Sequence, residues 1–136
     1  MGLHLSTSHY IYEIGTSDFL ISFFDTIEYR LTKGFFGKKY PIVLNEFYNG
    51  NLKYENLEKA ERELKDIQKR LKKFKPSKVV WDKNDLNKKP PWGDNISSDI
   101  TDLSNYHVTS DGKVLFDVIF RAIEKGKSEK SGIKIE

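Results

Sequence analysis

The chain has 136 residues, with no Cys, one Met and a net charge of +3. That length suits one domain of about 100–150 residues, spanning 1–136, and excludes a long multi-domain enzyme. Without sulfur there is no disulfide scaffold, no thiolate metal cluster and no Cys nucleophile. Aromatic residues make up 13% of the chain, far more than a disordered segment carries, so a folded core is expected. No run approaches the ~18–20 apolar residues of a membrane span. Met1-Gly2-Leu3-His4-Leu5-Ser6 lacks the basic-then-apolar order of a secretion signal, so the expected location is cytoplasmic, away from membranes.

The elements follow in chain order. Residues 2–14 read as extended, with Leu3, Leu5, Ile11 and Tyr12 among His and Ser. Gly15-Thr16-Ser17-Asp18 reads as a turn into a helix cap. Leu20, Phe23, Phe24, Ile27 and Leu31 then mark one helix face, with Gly34 as its stop. Pro41 and Gly50 bracket a short helix over 41–49, although Ile42-Val43-Leu44 alone also fits a strand. Over 55–74, Leu57, Ala60, Leu64, Ile67, Leu71 and Phe74 recur at spacings of three and four, a narrow stripe on a charged helix. It is too short for a coiled coil and is expected to lie on a sheet.

Lys78-Val79-Val80-Trp81-Asp82 reads as a strand, and 83–104 as an irregular loop around Pro90-Pro91-Trp92-Gly93. A loop that long in a small domain is uncommon and is often functional. Tyr106-His107-Val108-Thr109 reads as a short strand. Ser110-Asp111 reads as the cap of a helix over 112–125 that stops at Gly126, and Gly132–Ile135 as a last strand. The order predicts an α+β fold: a small mixed sheet packed against three to four helices.

The chemistry-bearing patterns are few. His4, His9 and His107 lie too far apart in sequence for a metal-ligand motif, and no metal or cofactor is expected. The Gly-rich phosphate loops and nucleophile elbows are absent. Asp82 with Asp85, and Asp99 with Asp102, are carboxylate pairs that read first as turn formers and only second as an acid/base pair. The chain is therefore expected not to be an enzyme.

Charge is unevenly placed. Residues 51–90 hold 13 Lys/Arg and 7 Asp/Glu, whereas Pro90–Gly112 holds no Lys or Arg and four Asp. Lys69, Arg70, Lys72, Lys73, Lys75 and Lys78 gather near one helix end. They read either as partners of the helix dipole or as a nucleic-acid contact. In the acidic window, Pro90-Pro91-Trp92 reads either as a rigid plug with Asp turn formers or as a docking surface. In the second reading Trp92 and Tyr106 anchor a partner and Asp94, Asp99 and Asp102 form a carboxylate rim.

Several blocks resemble the immunity protein 70 family of bacterial polymorphic toxin systems. They are Val79-Val80-Trp81-Asp82, Pro90-Pro91-Trp92-Gly93-Asp94-Asn95-Ile96-Ser97, Leu103-Ser104-Asn105-Tyr106 and Thr109-Ser110-Asp111-Gly112. Met1-Gly2-Leu3, Ser17-x-Phe19-Leu20, Asn45-Glu46-Phe47-Tyr48-x-Gly50 and Ala60…Glu63-Leu64 are similar too. The resemblance implies a bacterial cytosolic protein that binds the C-terminal domain of a cognate secreted toxin and keeps it inactive. It implies no catalytic residues. The docking surface at Trp92, Asp94, Asp99, Asp102 and Tyr106 is then expected to occupy a basic cleft, as in a nuclease. The alternative is a nucleic-acid-binding regulator using the Lys-rich helix end.

Overall fold

The computed structural model describes residues 2–33, 39–82, 84–90 and 96–136. The stretch expected to be extended is two strands, β1 (Leu3–Ser6) and β2 (Ile11–Gly15), paired as an antiparallel hairpin. β3 (Asn51–Leu52) and β4 (Ile133–Ile135) complete a sheet of order β2-β1-β4-β3. Every pairing is antiparallel, so the sheet is not the mixed one expected. The α+β class holds, with three α-helices and two π-helical segments beside that sheet among the described residues.

Helix α1 (Ser17–Ile27) starts where the sequence placed its cap, with Thr16 Oγ1 accepting from Phe19 N at 3.3 Å. Its Phe19, Leu20, Phe23, Phe24 and Ile27 are buried. The helix widens into a π-helical turn over Glu28–Thr32 and ends at Lys33 in left-handed backbone (φ 54°). The expected stop, Gly34, lies outside the described residues. The 41–49 segment is helical rather than extended, and it too is wound as a π-helix over Ile42–Phe47. Glu63 closes its open end by accepting from Ile42 N at 3.3 Å and Val43 N at 2.9 Å.

Helix α2 (Leu57–Leu71) buries Leu57, Ala60, Leu64, Ile67 and Leu71 of the predicted stripe, whereas Phe74 lies past its end and is only partly buried. Its partner differs from expectation. α2 packs on α3 (Leu115–Glu129) and on the Ile42–Phe47 segment, and it is α3 that touches β1, β2 and β4. The cause shows at Gly126. A Cβ there would come within 2.9 Å of Leu57 Cδ1 and 2.8 Å of the Ser131 carbonyl. Gly126 therefore serves close helix approach and is not a stop; α3 runs on until Lys130 turns left-handed (φ 55°).

Two further expectations fail. Residues 78–82 form no strand. Thr26 Oγ1 accepts from Val80 N at 3.0 Å and donates to Val80 O at 3.1 Å, and Ser22 Oγ also donates to Val80 O at 2.7 Å. α1 hydroxyls thus satisfy groups that a strand neighbour would otherwise pair. Ser110-Asp111 does not cap a helix. It lies in a hairpin turn closed by Thr109 N to Lys113 O at 2.7 Å, with Gly112 at φ +83° and a single bridge between Val108 and Val114. α3 therefore begins only at Leu115, so the expected 106–109 strand is reduced to that bridge.

Candidate partner-binding surface

The irregular segment between Val79 and Thr109 lies on the core through a few fixed points. Leu103 N donates to Phe74 O at 3.1 Å, tying it to the end of α2. Val79, Trp81, Ile96 and Ile100 pack partly against the core, and Leu103 is fully within it. Between these points the chain makes its own short-range clasps. Asn84 N donates to Asp82 Oδ1 at 2.9 Å and Asn87 N to Asp85 Oδ1 at 3.2 Å, so both carboxylates act as turn formers. Asn105 Oδ1 accepts from Thr101 N and Asp102 N, at 3.1 and 3.2 Å.

The expected docking residues are placed unequally. Trp92 and Asp94 lie outside the described residues. Asp99 is exposed; its main-chain N–H donates to Ser97 Oγ at 3.2 Å and its carbonyl accepts from Asn105 Nδ2 at 3.0 Å. Asp102 is half-buried and tied into its own turn. It accepts from Ser104 N at 2.8 Å, from Ser104 Oγ, and from Thr101 Oγ1 at 2.9 Å. Burial alone would raise its pKa. The bonds from Ser104 and Thr101, with the Lys72 charge, outweigh burial and hold the carboxyl below the usual range.

Tyr106 is 5% exposed, so it does not protrude as an anchor. Its ring meets His107 edge-on at 5.2 Å and lines a cleft of about 610 Å³. Pro76, Val79, Leu86 and Ile96 line that cleft as well, and Lys75, Lys88 and Lys89 stand around it. Leu86 there is 54% exposed. The Lys-free stretch of sequence therefore has lysines beside it in space. Arg70, counted in the same basic cluster, is held by Asp66 at 2.9 Å.

Two features were not singled out by sequence reasoning. One is a smaller cleft of about 300 Å³, where Asp18, Ile21 and Asp25 of α1 meet Tyr48, Trp81 and Asp82. The spacing of three and four between Asp18, Ile21 and Asp25 was a readable signal for that face. The other is His107, which is 3% exposed between Phe19, Phe23 and Tyr106. Its Nε2 lies 3.4 Å from Ser22 Oγ, and its Nδ1 has no hydrogen-bond partner. Burial pushes its pKa down to about 3, so it is neutral at physiological pH. In the sequence it stands only as a His alternating with apolar residues on the expected 106–109 strand, which suits a surface ring as well as a packed one.

Among the described residues there is no group of three or more His, Asp or Glu that could hold a metal ion. No helix among them is long and apolar enough to cross a membrane. Among the described residues the surface offers an exposed Leu and an exposed carboxylate beside two clefts, one with Lys75, Lys88 and Lys89, the other with Asp18, Asp25, Asp82 and Lys88. That suits protein recognition more than bond-making. The sequence model of the family described as Immunity protein 70 matches residues 5–135. The chain matches no curated protein and no solved structure.

Proposed function

The chain belongs to the immunity protein 70 family and is thus an immunity protein against a toxin, and from that premise we propose that it neutralises a cognate secreted toxin's C-terminal domain by stoichiometric occlusion. The 81–106 segment meets the toxin, with Trp92 as anchor and Asp94 and Asp99 pairing with toxin Lys or Arg. Asp102 and Tyr106 serve from beneath: Asp102 fixes the 101–105 turn and Tyr106 supports the segment from the core. The partner that such a loop fits is a basic, phosphate-binding cleft, as in a nuclease. No bond-making step on this chain is needed, because covering the cleft excludes substrate.

The observation that supports this reading is the exposure of Leu86 and Asp99 on turns, near 82–87 and 99–105, whose main chain is pinned by Asp and Asn side chains. A pinned loop loses little freedom on docking, so its contacts are spent on affinity. The test is charge reversal, Asp94→Lys with Asp99→Lys, measured as affinity for the cognate toxin domain. An affinity loss of at least about 100-fold is expected. Undiminished binding at physiological salt would remove the segment from the interface.

A second reading is favoured by one observation: Lys75, Lys88 and Lys89 share the larger cleft. If that cleft binds nucleic acid, affinity for a duplex falls steeply with salt, in proportion to the phosphates contacted. A flat or absent salt response excludes it.

A further inference from the structure

The chain past α1 and the chain past α2 come together, and their basic residues meet there. α1 runs through its π-helical turn to Lys33, and α2 is followed by Phe74 and the short turn Pro76–Lys78. Arg30 joins the two. Its Nε donates to the Lys78 carbonyl at 2.8 Å, and its guanidinium lies over the exposed Tyr29 ring, 4.9 Å from the centroid. Tyr29, Arg30, Lys33 and Phe74 line a shallow cleft of about 400 Å³. Periodicity and charge counts place lysines near the end of α2; only the fold adds to them two cations and a ring from far earlier in the chain.

The charge there is unanswered within the molecule. Lys33, Lys69, Lys73 and Lys78 are exposed, and among the described residues none of them has an ion-pair partner. Nearby carboxylates are engaged elsewhere. Asp66 is held by Arg70 and Tyr40, Asp102 is bonded within its own turn, and Glu28 is buried. No carboxylate lines the cleft. The two helix ends bring about half a negative charge each, which favours some cations for structural reasons alone. Arg30, Lys33, Lys69, Lys73 and Lys78 outweigh them, so the face keeps a positive sign.

We propose that this face binds single-stranded nucleic acid, with an unpaired base in the cleft at Tyr29, Arg30 and Phe74 and the flanking phosphates on Lys33, Lys73 and Lys78. The class of partner follows from what is combined. Cations alone fit any anion, an acidic protein included. A guanidinium stacked on an exposed ring inside a cleft adds a flat surface on which a base can lie, and a carboxylate side chain has no use for one. A duplex keeps its bases stacked on each other, so the fit is to single strands. The inference goes beyond toxin binding and does not rest on it. It also concerns a different face from the larger cleft at Lys88 and Lys89.

The test is fluorescence anisotropy of a labelled oligouridylate with the full chain and no toxin, over a series of salt concentrations. Log affinity is expected to fall against log salt with a slope of about −3, as for roughly four phosphates on a single strand. Lys73→Glu with Lys78→Glu is expected to weaken binding at least about tenfold and to make the slope shallower by about one unit. Tyr29→Ala is expected to weaken it about tenfold with the slope unchanged, because stacking carries no charge. Lys53→Glu with Lys134→Glu makes the same charge change beyond the other end of α2, a helix of 15 residues and so about 22 Å long. Screening over that distance should leave the affinity within about twofold of wild type. Absence of binding by the wild type at physiological salt, or an equal loss from the two charge-reversed pairs, would overturn the proposal. A larger loss from Lys88→Glu would move the contact to the larger cleft and overturn it too. An unaffected Tyr29→Ala, with poly-glutamate displacing the oligonucleotide, would make the partner an acidic protein instead.

Discussion

The α2–α3 half and the Val79–Thr109 segment achieve order by different means. In the first, Leu57, Ala60, Leu64, Ile67 and Leu71, at spacings of three and four, are buried, and Gly126 lets the helices touch. Removing water from apolar surface holds it together. In the second, order comes from individual polar bonds: Thr26 and Ser22 on Val80, Asn105 on the 101–102 turn, and Asp82 and Asp85 on their own turns. The first design hides side chains; the second fixes a backbone and leaves side chains such as Leu86 and Asp99 outside. A surface for binding another protein is more readily built the second way.

Variants can break that contrast, beginning with the largest effect. Leu64→Ala, in the middle of the buried stripe, should cost about 2–5 kcal/mol in chemical denaturation, because the helices cannot close the void fully. His107 gives the next effect, visible as pH dependence. Its folded pKa, about 3, lies below the ordinary value of 6.5, so the unfolded chain binds the proton more tightly between them. Its contribution is complete above about pH 6.5 and fades as pH falls toward 3, on the order of a few kcal/mol. His107→Phe should flatten that part of the stability curve; an unchanged slope would show that other groups set it.

Thr26→Val should cost about 1–3 kcal/mol by leaving Val80 N–H buried and unpaired. Its distinguishing sign is local: amide exchange at 79–81 should speed up more than exchange in α2. Equal acceleration everywhere would mean that the segment and the helical half unfold together. Smallest of all, Asp99→Lys should change stability by less than about 0.5 kcal/mol, as an exposed substitution does, while weakening toxin binding.

The same contrast explains what could be read in advance. Periodicity announced α2 and its core face, and Thr16 announced the start of α1, because both signals are local. The Val79-Val80 pair looked like a strand because its apolar character is real; only the fold reveals that its bonding partners are hydroxyls from 54 and 58 positions earlier. Gly126 looked like a stop because a glycine needed for close approach and one needed for a turn are the same letter. Of the expected docking residues, Asp99 is where its type suggested. Tyr106 went inward because four residues, Leu103, Ser104, Tyr106 and His107, are buried together there. The cleft at Asp18, Ile21 and Trp81 was harder to see, since it joins α1 to a segment some sixty residues away.

The central claim is that the irregular segment, and not the helical half, faces the toxin. Amide hydrogen exchange of this chain, free and saturated with the toxin domain, tests it most directly. The account expects new protection concentrated between residues 84 and 105, with α2 unchanged. Protection confined to the outer face of α2, with 84–105 exchanging as in the free protein, would contradict it.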